Sequence, residues 1–249
     1  MPSRESCLQK NRQPILAIIP AKGFSRRLPQ KNKLLLAGKP MVSYTIMAAL
    51  NCRLIDKVVV STDDLFIKQV ALREGAEVVD RPSDLSKDKI RNNDVVLHVL
   101  QHYAALNQQF NTIVLLQPTS PLRTEYHLTA CLHTFLQGEW ASGMSVCEVE
   151  THPAKAVMIN QDAIEPFVDD VAMEAQMQQL PKVYQQNGAI YAVTVKGFLK
   201  TFNFYQRPCM AYFMKKEESI DIDNQINFQL AELIMKEHCN DQSEKRSTL

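Results

Sequence analysis

The chain has 249 residues, 45% hydrophobic and 22% charged, a composition able to bury a core. Its 28 basic residues balance 27 acidic ones, so no overall field argues for a nucleic acid or membrane partner. The six cysteines form no CxxC pair, which argues against a zinc site, and no apolar run approaches the ~18 residues of a membrane span.

Met1–Gln13 is polar and reads as a flexible start without a secretory leader, consistent with a cytoplasmic protein. Ile15–Ile19 is a short apolar run stopped by Pro20, a buried strand. Past it come Lys22, Arg26, Arg27, Lys31 and Lys33. A cationic loop just beyond the C-terminal end of a first strand points to a polyphosphate site, because ligands of open α/β sheets sit there. A solvated basic loop is the plainer alternative. Neither the P-loop spacing nor GxGxxG is present, so phosphate binding must lean on cationic side chains as well as backbone N–H groups.

Met41–Asn51 follows at helical spacing, then the strand Lys57–Ser61. Leu65–Glu74 is a helix capped by Asp63 or Asp64 and closed by Gly75. Glu77–Asp80 is a strand, Asn93–Leu106 a striped helix, Thr112–Leu116 a strand, Thr124–Gln137 a helix and Gly143–Val149 a strand. This rhythm predicts an α/β fold with a doubly wound, mainly parallel sheet. Residues 150–185 break it. Ala156–Ile159 suits a strand, Asp169–Leu180 is only weakly periodic, and the segment reads as a small dimerisation arm inserted in one domain, 14–149 plus 186–238. Ala189–Val195 returns to the sheet, Gly197–Phe202 is a short helix, Ala211–Met214 an edge strand and Ile226–Glu237 the last helix. Residues 239–249 read as a flexible polar tail.

Several constellations could carry chemistry. Gln117–Arg123, QPTSPLR, packs an amide, two hydroxyls and a guanidinium behind a strand, although a turn capping the next helix would use the same residues. Asn187-Gly188 opens a buried strand, and a hairpin-type turn explains it equally. In SIDID, Ser219–Asp223, alternation puts Asp221 and Asp223 on one side, about 7 Å apart by the strand rise. Such a pair suits a divalent ion shared with substrate phosphates, while Asp223 also suits helix capping. Arg81 and the polar stretch up to Asn92 form a loop able to fold over a nucleotide. His152, next to Pro153, is a lone candidate with no metal-binding pattern around it.

The ordered set AKGFSRRLPQKN, VVVSTDD, LLQPTSPLR, THPAK, QLPKVYQQNGAIY and SIDID resembles the acylneuraminate cytidylyltransferases, over residues 15–238. That resemblance implies a nucleotide-diphospho-sugar transferase-like, Rossmann-type fold, a homodimer joined through the arm, and a reaction. CTP and a nonulosonic acid, a nine-carbon α-keto acid sugar, would give the CMP-sugar and pyrophosphate with Mg2+. Carried over by position, Lys22, Ser25, Arg26, Lys31, Asn32, Arg81 and Asn92 would hold the nucleotide. Gln117, Thr119, Ser120, Lys155, Asn187 and Tyr191 would face the sugar. Asp221 and Asp223 would bind the metal and, with Lys31, carry catalysis. Departures stand at Lys22, where the family's first motif usually has Arg, at Arg26-Arg27 in place of Lys-Gly, and at Asn92, where Ser is frequent. Met177 replaces an Arg often found in sialic acid enzymes, which directs attention to a less polar sugar such as legionaminic acid. The alternatives are a Kdo cytidylyltransferase, against which QPTSPLR and SIDID argue, and a non-catalytic CTP- or CMP-binding regulator.

Overall fold

The computed structural model describes residues 14–87 and 89–247, with side chains through Glu237. Strand β1 (Ile15–Pro20) is the centre of the fold, and Ile15 through Ile19 are fully buried. Its odd residues pack against one layer of helices and its even residues against the other. A strand covered on both faces needs apolar side chains throughout, which is why this one reads as an unbroken run rather than an alternation.

Next come a small ribbon, β2 (Leu35–Leu36) and β3 (Lys39–Pro40), helix α1 (Met41–Asn51) and β4 (Lys57–Thr62). They are followed by α2 (Leu65–Glu74), β5 (Glu77–Asp80), α3 (Asn92–Ala105), β6 (Thr112–Leu115), α4 (Glu125–Gln137) and β7 (Ser142–Glu148). After β8 (Val157–Asn160), β9 (Ala163–Pro166) and α5 (Asp170–Glu174), the chain re-enters the sheet as β10 (Tyr184–Thr194). It ends with α6 (Val195–Thr201), β11 (Cys209–Phe213) and α7 (Gln225–Ser247).

Seven strands form the main sheet in the order β11-β7-β10-β6-β1-β4-β5. All run parallel except β10, which is antiparallel to both its neighbours. Helices α1, α2 and α4 cover one face; α3 and α6 cover the other. The strand order reverses at β1, with β4 on one side and β6 on the other, which opens a crevice at their C-terminal ends. The expected fold class and element order are therefore present.

The differences have local causes. The expected turn at Asn187-Gly188 is instead a bulge within β10, with Gly188 at φ 76° and the register shifting between Gln186 and Tyr191. An Asn-Gly pair supplies the same left-handed backbone to a bulge as to a hairpin turn. The β2–β3 ribbon was not anticipated. It is too short to show a period, and its turn is made by Ala37 and Gly38, both at positive φ. Helix α7 runs past residue 238, so the backbone of the expected tail is helical as far as Ser247. Residues 248–249 and the expected flexible start at 1–13 lie outside the described residues. Cys52, Cys131 and Cys147 are buried free thiols. Among the described residues no helix is long and apolar enough to cross a membrane.

Candidate active site

The crevice at β1 and β6 holds a cleft of about 250 Å³ lined by Lys22, Arg27, Lys31, Asn32, Arg81, Lys87, Asn92, Gln117, Thr119, Asp221 and Asp223, among others. Five cations face two carboxylates, so its field favours a polyanion. A second cleft, about 470 Å³, is lined by Gln117, Gln185, Gln186, Asn187, Tyr191, Lys216, Ser219 and Asp221, with Glu148 and Glu150. Its amides and hydroxyls suit a hydroxyl-rich ligand, and Lys216 is the cation of the lining against Glu148, Glu150 and Asp221. The two clefts share Gln117 and Asp221. A third cleft, about 640 Å³, lies at the opposite end of β6; it is lined chiefly by apolar residues such as Leu100, Phe110 and Leu199, and none of the candidates lines it.

The basic loop is fastened by the acidic pair after β4. The Gly23 amide donates to Asp63 at 2.9 Å, and Lys33 donates to Asp64 at 2.8 Å. Asp64 also caps α2 by accepting from the amides of Phe66 and Ile67, which decides between the two cap candidates. Burial pushes the Asp64 carboxyl up, but Lys33 and the two amides outweigh it and hold it below its ordinary range. A Cβ at residue 23 would stand 2.7 Å from an Asp64 oxygen, so only glycine lets the loop lie this close. Beneath the loop, Leu28, Leu36 and Met41 pack with Ile222 and Ala231. Thus Ile222 points into a small core while its neighbours Asp221 and Asp223 face the cleft, the alternation expected of SIDID.

Lys31 donates to Asp223 at 3.1 Å and to the Ile222 carbonyl at 3.2 Å, while Arg27 stands 2.7 Å from the other Asp223 oxygen. Asp223 does not cap α7; Asn224 does, accepting from the Asn227 amide. Asp221 is raised above the ordinary carboxylate range, first by burial and also by Asp223, against a hydrogen bond from Thr119 and the charges of Lys31 and Arg27. Its Oδ1 is buried without a hydrogen-bond partner among the described residues, as is Asn32 Oδ1. Asn32 otherwise donates to the Lys22 carbonyl. Arg81 is anchored through its bonds to the Ser61 hydroxyl and carbonyl, and burial lowers it to about 10, so it stays cationic at neutral pH.

Gln117–Arg123 is a succession of tight turns ahead of α4, not its cap. The Ile222 amide donates to the Thr119 carbonyl at 2.8 Å, which stitches this turn to SIDID. Ser120 is fully buried behind Gln117 and lines neither cleft; its position is structural. Asn187 lines the second cleft, but its amide is consumed by the protein. It accepts from Ser145 and the Ala189 amide, and it donates to Ser219 and towards Met214. It holds the cleft wall. Tyr191 faces the same cleft, its hydroxyl raised by burial and by Asp221.

Besides Ser120, three expected contacts are not assembled here. Ser25 is buried and Arg26 exposed, and neither lines the cleft; the neighbouring Arg27 does, because the loop's turn carries it to Asp223. Lys155 donates to the carbonyls of Met173 and Ala175, tying α5 down, and reaches neither cleft. His152 is likewise structural: its Nδ1 accepts from the Ala154 amide, which leaves Nε2 to donate to the Pro181 carbonyl at 3.0 Å and close the base of the arm. Arg27 and Lys87 belong to the loops read from sequence as phosphate- and nucleotide-facing, and both line the first cleft; Lys216 in the second cleft carries no local signal, since a cation's pattern does not tell which way it faces.

A family model described as cytidylyltransferase matches residues 16–245. This chain belongs to the cytidylyltransferase family. It is 35% identical over 217 residues to an N-acylneuraminate cytidylyltransferase of Streptococcus agalactiae, covering 86% of this chain and 51% of that protein. It thus spans about half the length of the N-acylneuraminate cytidylyltransferases of Streptococcus agalactiae and Escherichia coli that it matches. It is 34% identical over 227 residues to a CMP-N,N'-diacetyllegionaminic acid synthase of Legionella pneumophila, covering 89% of this chain and 96% of that one. A solved CMP:2-keto-3-deoxy-manno-octonic acid synthetase complexed with CTP superposes with a TM-score of 0.68 at 15% identity, over 90% and 99% of the two chains, which establishes a shared fold. In this member of the family, the cleft at the strand-order reversal is where that fold opens.

Proposed function

We propose that this cytidylyltransferase activates a nonulosonic acid with CTP, giving the CMP-sugar and pyrophosphate. One observation carries the reading: a cationic cleft and a polar cleft meet at Gln117 and Asp221. The first suits the triphosphate, the second a polyhydroxylated ligand, and the shared wall is where their reacting atoms would meet. Identity of 34% over nearly the full length of a legionaminic acid enzyme supports the sugar class and keeps legionaminic acid as the preferred member.

In this reading Lys22, Arg27, Lys31 and Arg81 neutralise the phosphates, and Asn32 offers an unpartnered acceptor to a nucleotide N–H. The sugar's anomeric hydroxyl attacks the α-phosphorus in line; its oxygen bonds to phosphorus and gives up its proton to water as the bridging oxygen leaves with pyrophosphate. Lys31 and Arg27 stabilise the charge that develops on the leaving group. Among the described residues no group of three or more metal-ligating side chains stands together. Asp221 and Asp223 nevertheless fit Mg2+, which takes one or two carboxylates plus substrate phosphates, and the unpartnered Asp221 Oδ1 is a hard oxygen donor. The ion would supply charge neutralisation at the phosphates.

We also propose a cytoplasmic homodimer formed through the arm expected at residues 150–185. Ile159, Ile164, Phe167 and Val171 there are 61–83% exposed, an apolar surface that a second copy would cover. Pyrophosphate release, measured with CTP, Mg2+ and N-acetylneuraminate, legionaminate, pseudaminate or Kdo in turn, tests the activity. Turnover with a nine-carbon acid is expected. Silence with all four would reject an enzymatic role and leave a CTP-binding regulator; turnover with Kdo alone would reassign the sugar.

A further inference from the structure

Strands β6 and β10 pair antiparallel only as far as Leu115 opposite Tyr191. The same register carried two residues further would set Gln117 opposite Ala189. They do not pair: β6 ends at Leu115 ahead of the Gln117-Pro118 turn, β10 bulges against β7 at Gly188, and the second cleft lies between Gln117 and Gly188. A single guanidinium takes both carbonyls instead. Arg123 Nη1 donates to the Ala189 carbonyl at 2.8 Å and to the Gln117 carbonyl at 3.3 Å.

This arginine is only 1% exposed, and its Nε and Nη2 have no hydrogen-bond partner among the described residues. Burial lowers its pKa to about 9, which leaves it charged at neutral pH. An unpaired buried charge is expensive, and two carbonyls could be bridged by a neutral amide at less cost. Both bonds, however, leave from the one nitrogen Nη1, whose two hydrogens lie in the guanidinium plane, so a buried, planar head sets the angle between the two carbonyls as a freely rotating donor would not.

We propose that Arg123 is a positioning residue of the sugar subsite: it replaces the missing ladder bonds where β6 and β10 part, and so aims the Gln117 side chain at the junction of the two clefts. Gly188 completes the wedge from the other side. A Cβ there would stand 3.3 Å from Gln117 Oε1 on a backbone at φ 76°. Arg123 touches neither cleft, so its effect passes through Gln117.

The inference rests on the CTP and nonulosonic acid reading above. Its test uses the full chain with Arg123→Lys, Arg123→Met and Gly188→Ala, measuring KM for sugar and for CTP, and CTP affinity without sugar by calorimetry. Loss of a charge-assisted bond at Gln117 should raise the sugar KM about tenfold in Arg123→Met and less in Arg123→Lys, which keeps a donor. CTP affinity should stay within about twofold. Gly188→Ala should also raise the sugar KM alone, and it carries the test with Arg123→Lys should Arg123→Met not fold. Variants that lose thermal stability while both KM values stay put, or rise together, would make Arg123 structural only and overturn the proposal. Wild-type silence in the same assay removes the functional reading as well, whereas wild-type turnover with unchanged variant sugar KM removes this inference alone.

Discussion

Asp221 and Asp64 are carboxylates with opposite titration, and the two signs give different experiments. Folding raises Asp221, chiefly by burial, so the folded chain keeps that proton to higher pH than the unfolded chain. Stability linked to it is present in acid and lost as pH rises through the folded value. Asp221→Asn removes the charge in question, so its urea midpoint should gain on wild type as pH rises above the ordinary carboxylate range, while turnover is lost. Unchanged turnover would reject the metal assignment. Folding lowers Asp64 instead, so its contribution is present above the ordinary carboxylate range and lost as pH falls through the depressed value. Asp64→Ala should therefore cost about 1 kcal/mol at neutral pH, the usual worth of a cap, and much less in acid. At this scale the sequence showed residue type but not orientation. Lys155 and Arg26 sit in the right stretches and face away from the clefts, whereas Arg27, one position along, reaches Asp223.

The elements were legible wherever a period or a cap was long enough to read. Helix α2 carries its own signals, Asp64 at one end and Gly75 at φ 97° at the other, and strand β1 is an unbroken apolar run. Asn187-Gly188 was less legible because a turn and a bulge ask for the same backbone, and only the neighbours β6 and β7 decide between them. How one element is fastened to another was not legible at all. The basic loop lies on the start of α2 because Gly23 has no side chain where Asp64 stands. Gly23→Ala should displace Asp64, loosen Lys33 and raise the KM for CTP, with little effect on the sugar KM. Equal effects on the two would show that the loop serves more than the nucleotide.

For the whole molecule, the parallel rhythm of strands and helices predicts the sheet, and the reversal of strand order at β1 places the crevice. The arm stands outside that sheet as its own two-stranded ribbon, tied at its base by His152 and Lys155. Exposed Ile159 and Ile164 face each other across the ribbon. Replacing both with Lys should give monomers in sizing chromatography with unchanged far-UV circular dichroism, because little within the chain packs on them. A double variant that still elutes as a dimer would place the interface elsewhere.

The sequence by itself determined the strand and helix order, the family and the order of its motifs, because these follow from short-range periods and from residue types at fixed spacing. The tertiary structure alone decided that Gln117 and Asp221 are shared by two clefts, that Asn187, Lys155 and His152 spend their polar atoms on the protein, and that Arg123 bridges the parted strands. Most of those arrangements include a contact between residues distant along the chain, such as Arg123 with Ala189 or Asn187 with Ser145, and local sequence carries no record of which side chains will meet across the crevice.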